Sequence, residues 1–471
     1  MGQVRGAGAA AGSGRVSRDW VIEGGAVATV DAEGTEHARG HVVVAGGVVR
    51  AVGPGDAPAS AVPAGARHVD ASGCLVTPGL VNTHHHFSQW VTRGMEPDSG
   101  LFDWLTALYP RWALIDDEIM HAAALGSLAA LATTGCTTTM DHHYVFPRGA
   151  GDLLGAEVEA AARVGLRFHV SRGSMDLGRS AGGLPPDEVV EDTDAALVAT
   201  EEAITRFHDP SPGAMVRVTV APCSPFSVTT ALLEGAASLA RRLGVRLHTH
   251  LAETDDEDDY CRARFSCSPT EYAESVGWLG DDVWLAHGVH LDAPARRRLA
   301  ATSTGVAHCP SSNGRLGAGM APVPELLADG VAVGLGVDGS ASNESGQLGT
   351  ELRAALLTAR ARLGPRALGT RDALAMATIG GARCLGRAEE IGSLEAGKLA
   401  DVVVWRVDTA AHAGMHDPVA ALTLGSLPPI ALSMVGGNVL VEDAALRALD
   451  ASTVASAVAA AVAELGRRRG G

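Results

Sequence analysis

Eight short runs rich in β-branched residues punctuate the middle of this chain, and stretches of helical period separate them. The runs are CLVTPGLVNTH (74–84), CTTTMDHH (136–143), LRFHVSRG (166–173), VRVTVAPC (216–223), VRLHTHLAE (245–253), DVWLAHGVH (282–290), GVAHCPSSN (305–313) and VAVGLGVDGS (331–340). Between them lie Ala/Leu-rich segments such as EIMHAAALGSLAALATTG (118–135) and LLEGAASLARRLG (232–244). Strands alternating with helices imply βα units and a parallel sheet, and eight such units fit a closed (β/α)8 TIM barrel.

The two ends of the chain have another texture. Residues 19–75 and 389–471 carry short Val-rich runs broken by Gly-rich turns, as in GHVVVAGGVVRAVGPG (40–55) and SMVGGNVLVEDAAL (433–446). That pattern reads as β-structure. The expected α/β architecture is a barrel over 76–388 with one small discontinuous β-sandwich domain built from both ends, the second part closing with a C-terminal helix. Residues 1–18, Gly- and Ala-rich, read as a flexible tail without the apolar core of a signal peptide.

Composition removes several function classes. The net charge of −17 denies the chain the basic footprint of a nucleic-acid binder. No run approaches the ~18 uncharged apolar residues of a membrane span, so a cytoplasmic protein is expected. The seven cysteines are scattered and odd in number, which speaks against a disulfide framework. Lysine occurs once, at Lys398, outside the barrel. Mechanisms that need a barrel lysine are therefore excluded.

The strand ends carry the chemistry. The first run ends in His84, His85 and His86, the fifth carries His248 and His250, the sixth reaches His287, and the eighth reaches Asp338. In a TIM barrel the C-terminal strand ends form the active-site face. Residues i and i+2 of a strand share a side, so His84 and His86 point together and His85 points away. Three imidazoles and a carboxylate, from His84, His86, His250 and Asp338, form a donor set for one divalent metal: zinc, with ferrous iron as the alternative. His142, His143 and His169 are further strand-end histidines that would line the pocket. His248 and His290 read as supporting or core residues. The acidic run ETDDEDD (253–259) reads as solvated beyond Glu253.

These residues carry a family resemblance. PGLVNTHHH (78–86) resembles the HxH strand of the amidohydrolase superfamily, HTHLAE (248–253) its strand-5 ligand followed by HxxE, and AHGVHL (286–291) its strand-6 histidine motif. GLGVDGSASN (334–343) resembles its strand-8 aspartate motif, and IGSLEAGKLADVVVW (391–405) the return into its β-sandwich. Five motifs in the expected order span nearly the whole chain. The resemblance implies that His84, His86, His250 and Asp338 bind metal, while Glu253, His287 and Asp338 act on substrate and water. Two-metal members use a carboxylated lysine on strand 4; VRVTVAPC holds none, which implies a single metal.

Within the aminohydrolase branch, NTHHHFSQ (82–89), LFDWLTALYPRWA (101–113), TTGCTTTMDHHYVFP (133–147), VSRGSMDLG (170–178) and HCPSSNGRL (308–316) most resemble the 8-oxoguanine-deaminating group. The implied reaction converts 8-oxoguanine to urate and ammonia. Guanine, isocytosine and chloro- or amino-triazines are the alternative substrates. Gln89 offers a donor and an acceptor to the amide edge of an oxopurine. Trp104 would supply a stacking wall, and Arg172 would face a carbonyl oxygen such as O8. Segments 92–112 and 182–194 are candidate loops over the barrel mouth. A small-molecule nucleobase and further copies of the same chain are the expected partners. A sugar-phosphate isomerase would need a phosphate loop after strands 7 and 8, and a non-catalytic relative would lack ligands; neither fits.

Overall fold

The computed structural model describes residues 18–470. Eight parallel strands close into a barrel. They are β1 (Leu80–Asn82), β2 (Cys136–His143), β3 (Arg167–Ser174), β4 (Val216–Pro222), β5 (Arg246–Leu251), β6 (Val283–His287), β7 (Gly305–His308) and β8 (Val333–Leu335). Each pairs in parallel with the next, and β8 closes on β1 through Leu335 and Asn82. Beyond β8 and β1, a two-stranded extension pairs Asp338 with His85 and Gly339 with His86. That pairing brings the first and last strand motifs to one rim.

Local sequence sets the βα rhythm. The helix Thr230–Leu243 starts where the Thr229 side chain accepts the Leu232 amide, and it stops at Gly244, whose φ of 69° suits a left-handed cap. Along the strands, apolar residues such as Phe168, Val170, Val218, Val220 and Leu247 join the core shared with the helices. The alternate positions, including His169, Ser171, Thr219 and His248, are buried and polar. Period-2 alternation places this polar set in the barrel interior.

Two further sheets lie outside the barrel. One has four strands, in the order Val48–Pro54, Gly40–Ala45, Trp20–Glu23 and Arg67–Asp70. The other has seven and draws on both ends of the chain: Val402–Arg406 pairs antiparallel with Cys74–Pro78 on one side and Ile430–Val435 on the other. The first β-rich run is therefore two strands and not one. Cys74–Pro78 belongs to this outer sheet, and the barrel begins only at Leu80. Gly79 makes the break possible, because a side chain there would collide with Thr137. Arg167 fastens barrel to sheet: its Nε and Nη2 bind the two Asp401 carboxylate oxygens at 2.7 and 3.0 Å.

The helix Leu101–Trp112, here α1, lies at the active-site end and contributes Leu101, Trp104 and Leu105 to a cavity wall. The C-terminal helix, Ala451–Gly470, packs on barrel helix α2 (Asp117–Thr133), where Arg468 pairs with Asp116 at 2.5 Å. No described helix is long and apolar enough to cross a membrane. Residues 1–17, which hold most of the expected tail, lie outside the described residues.

Candidate metal centre and active site

His84, His86, His250 and Asp338 converge from β1, β5 and the turn after β8. One ligand atom from each lies within 4.8 Å of the others. Asp338 Oδ1 stands 3.2 Å from His84 Nε2 and 3.3 Å from His86 Nε2. His86 Nε2 faces His250 Nε2 at 3.1 Å. All four residues are buried.

The hydrogen bonds on the far side of each ring decide what the near side offers. His86 Nδ1 donates to the His142 carbonyl at 2.7 Å, and His250 Nδ1 donates to the Cys223 carbonyl at 2.7 Å. His248 Nδ1 donates to the Trp284 carbonyl at 2.8 Å, which leaves His248 Nε2 as the acceptor for His84 Nδ1 at 2.8 Å. Each ligand ring thus carries its proton on Nδ1 and a lone pair on Nε2. Burial holds His84 and His250 well below the usual imidazole range, so both are neutral. His84 Nε2 has no hydrogen-bond partner, and His86 and His250 aim lone pairs at one another. Facing acceptors with no proton between them are repulsive unless a cation lies in their midst. The donor set of three neutral imidazoles and one carboxylate therefore fits a divalent metal ion.

The acid–base groups border the same point. The Asp338 carboxyl is buried at this point, its Oδ1 turned toward the ligand atoms of His84 and His86. Its Oδ2 accepts the Ser312 hydroxyl at 2.5 Å and lies 3.9 Å from His287 Nε2. His287 Nδ1 is 2.9 Å from Asn313 Oδ1, and its Nε2 is 3.6 Å from Glu253 Oε2. Glu253 is pushed well above its usual range, first by burial and then by Asp338 and Glu257. Two buried carboxyls thus border the site, Asp338 among the ligand atoms and Glu253 beside His287. His287 and Asp338 take left-handed backbone, at φ 72° and 62°. His and Asp tolerate that conformation better than most residues.

The cavity above this cluster spans about 360 Å³, its open mouth included. Leu101, Trp104, Leu105, Phe226 and Leu316 form its apolar wall. His86, Gln89, Tyr144, Cys223, Ser224, His250, Glu253, His287 and Asp338 supply its polar side. Gln89 Oε1 accepts the Ala341 amide at 3.3 Å, and Trp104 Nε1 donates to the Ala341 carbonyl at 3.2 Å. Gln89 therefore keeps its NH₂ for other partners, and Trp104 presents only its ring. Arg172 does not line the cavity. Its guanidinium pairs with Glu191 at 2.6 and 3.0 Å and covers the Phe146 ring at 3.6 Å. A nearby carboxylate and an aromatic face hold this cation more cheaply than a neutral carbonyl would.

From residue 75 to 441 the sequence matches the model of the amidohydrolase family. The chain belongs to that family. It is 44% identical to 8-oxoguanine deaminase of Pseudomonas aeruginosa over 452 residues, covering 96% of this chain and 99% of that protein. It is 38% identical to hydroxydechloroatrazine ethylaminohydrolase of Pseudomonas sp. strain ADP, covering 91% of this chain and 92% of that one. The crystal structure of atrazine chlorohydrolase from Arthrobacter aurescens TC1 complexed with zinc superposes with a TM-score of 0.88 at 32% identity, over 94% of this chain and 99% of that one. This amidohydrolase is an enzyme, and its His/Asp cluster is a metal-binding site.

Several supporting residues escaped the sequence. Glu257, expected to be solvated, is fully buried; its two oxygens accept the Ala252 and Glu253 amides at 2.8 and 3.0 Å and so fix the Glu253 loop. The signal was present, since Glu257 lies four residues from Glu253 in a turn entering a helix. Asp141 accepts the Phe87 amide and pins the turn after His86. Of the additional histidines, His142 stacks on His250 at 4.6 Å. His143 turns to Glu157, 3.8 Å away. His169 sits near the start of β3, at the opposite end of the barrel from the metal ligands.

Proposed function

We propose that this amidohydrolase hydrolytically deaminates an oxopurine base, 8-oxoguanine to urate and ammonia, and that its metal is zinc. The observation that carries this reading is a second buried carboxyl, Glu253, 3.6 Å from His287 and beside the Asp338 and three-histidine cluster. An amino leaving group needs a proton, whereas chloride does not, so retention of both carboxyls favours deamination over dechlorination. The relative from Pseudomonas aeruginosa acts as an 8-oxoguanine deaminase, which supports the same substrate here.

When bound by His84, His86, His250 and Asp338, the metal would supply Lewis acidity that lowers the pKa of the attacking water toward ~7. Asp338 accepts the proton that this water loses. His287, held by Asn313, orients the water through Nε2. Glu253 donates its proton to the ring nitrogen adjacent to the attacked carbon, which offsets the charge that arrives as the ring loses aromaticity. The water oxygen bonds to the carbon bearing the exocyclic amine. The C–N bond then breaks, the proton held on Asp338 leaves with the nitrogen as ammonia, and the new hydroxyl returns its proton to Glu253 as it becomes the product carbonyl.

Recognition follows from the cavity. The Trp104 ring forms a flat wall for the base. The free NH₂ of Gln89 donates to a ring carbonyl, and the Ser224 and Tyr144 hydroxyls are available for a second oxygen. The test is ammonia release from 8-oxoguanine, guanine, isocytosine, cytosine and melamine by enzyme of known metal content. The highest kcat/KM should belong to 8-oxoguanine. A higher value for any other member of that panel would overturn the substrate assignment.

A further inference from the structure

At the opposite end of the barrel from the metal cluster, β3, β4 and β5 begin around a recess of about 630 Å³, its mouth included. His169, Arg217, Thr219 and Arg246 line it, together with His208 and the Leu385–Gly386 turn. Three of these residues present buried polar atoms with no hydrogen-bond partner: His169 Nε2, Arg217 Nε and Thr219 Oγ1. His169 is 2% exposed and Thr219 0%. Buried polar groups are nearly always satisfied, so three orphans around one recess mark a place where a ligand belongs.

The charge around the recess says what kind of ligand. Arg217, Arg387 and Arg246 lie at or beside the recess. Glu390 serves the first two: Arg217 Nη2 reaches it at 2.5 Å, and Arg387 reaches it through Nη2 at 2.5 Å and Nε at 3.2 Å. Arg246 donates only to the backbone carbonyls of Cys384 and Asp281, at 3.0 and 2.7 Å. The nearby Asp282 side chain is already taken by Arg241. Asp209 points its carboxylate at Ser211 on the surface. Arg217 and Arg387 thus share one carboxylate and Arg246 donates to none, in a setting where an unmatched buried charge is costly.

From this we infer that the N-terminal mouth of the barrel is a binding site for a small oxyanion of the phosphate class, held by Arg217, Arg246, His169 and Thr219. Arg217 Nε, the Thr219 hydroxyl and the His169 ring all supply donors, and Arg246 adds charge. The site is separate from the catalytic cavity, which opens at the other end of the same strands.

Calorimetric titration of the metal-loaded enzyme with inorganic phosphate, against chloride at matched ionic strength, tests the assignment. One phosphate per chain should bind saturably, with kcat and KM for the nucleobase unchanged when the site is full. Arg217→Gln and Arg246→Gln should each weaken phosphate roughly ten- to a hundredfold. Thr219→Val keeps the shape and the charges and should weaken it several-fold, with a melting temperature without phosphate that reports an intact fold. The assignment is overturned by absence of saturable binding to the parent enzyme, by equal affinity in the three variants (an adventitious ion only), or by competition between phosphate and substrate, which would place the anion at the metal.

Discussion

His248 touches neither the cavity nor the metal ligand atoms, yet the tautomer of His84 depends on it. Its Nε2 accepts the His84 Nδ1 proton at 2.8 Å because its own Nδ1 is committed to the Trp284 carbonyl. His248→Phe removes that acceptor and keeps the ring that stacks on Trp284 at 4.5 Å. The buried His84 proton then has two poor options. It stays on Nδ1 unpaired, at a cost of about 1–3 kcal/mol, or it moves to Nε2 and must be displaced before a metal can bind. Either route lowers metal affinity, and loss of such an outer partner typically costs 10- to 100-fold, about 1.4–2.7 kcal/mol. Zinc affinity is read by competition with a chromogenic chelator, and kcat is read at saturating zinc. The expected result is weaker zinc binding with a smaller loss of kcat once the site is filled. Zinc affinity within twofold of the parent enzyme would refute the tautomer argument.

Other perturbations separate the remaining roles. Asp338→Asn should reduce turnover below detection by ammonia release while the three histidines still retain metal, measured by elemental analysis; normal turnover would remove Asp338 as the proton acceptor. Glu253→Gln should lower kcat by about 10²–10⁴ with metal content unchanged. Because Glu253 acts protonated and its pKa is raised, activity should fall as pH rises through that pKa. The alkaline limb of the kcat profile should vanish in Glu253→Gln, and its persistence there would assign it to another group. Gln89→Ala should raise KM for 8-oxoguanine more than it lowers kcat, whereas an equal fall in kcat and kcat/KM would make Gln89 a transition-state contact. Dialysis against a chelator should abolish ammonia release, and zinc should restore it.

The barrel was legible in the chain because period and punctuation are local properties. Eight β-branched runs and intervening helical stretches need no tertiary information to be recognised, and the histidines at their ends were visible in the same reading. The break at Gly79 was not, since Cys74–Pro78 and Leu80–Asn82 form one continuous apolar run. Only the partner strands, Val402–Arg406 for the first and Cys136–His143 for the second, separate them. Arg172 was misread for a related reason. Its position on β3 placed it near the active-site end, but the direction of its side chain depends on Glu191, 19 residues later. His169 shows the same limit, because a residue early in a strand and one late in it look alike until the strand's direction in the barrel is known.

That direction explains how one set of strands carries two kinds of polar chemistry. β5 begins with Arg246, passes His248 and ends near His250 and Glu253; β4 begins with Arg217 and Thr219 and runs on to Cys223 and Ser224. Alternation puts all the interior residues of a strand on one line, so polar groups anywhere along it must be satisfied inside the lumen or at its two mouths. At the catalytic mouth, neutral imidazoles and a carboxylate make a cation site. At the other mouth, His169 Nε2, Arg217 Nε and Thr219 Oγ1 lack partners, and the same rule calls for a ligand that accepts from them. A lone lysine elsewhere, Lys398, is bound to Glu395 at 3.0 Å in the segment that returns to the outer sheet. It offers no bridge for a second metal. On the proposed mechanism, the proton chemistry at the catalytic mouth falls to Asp338, His287 and Glu253.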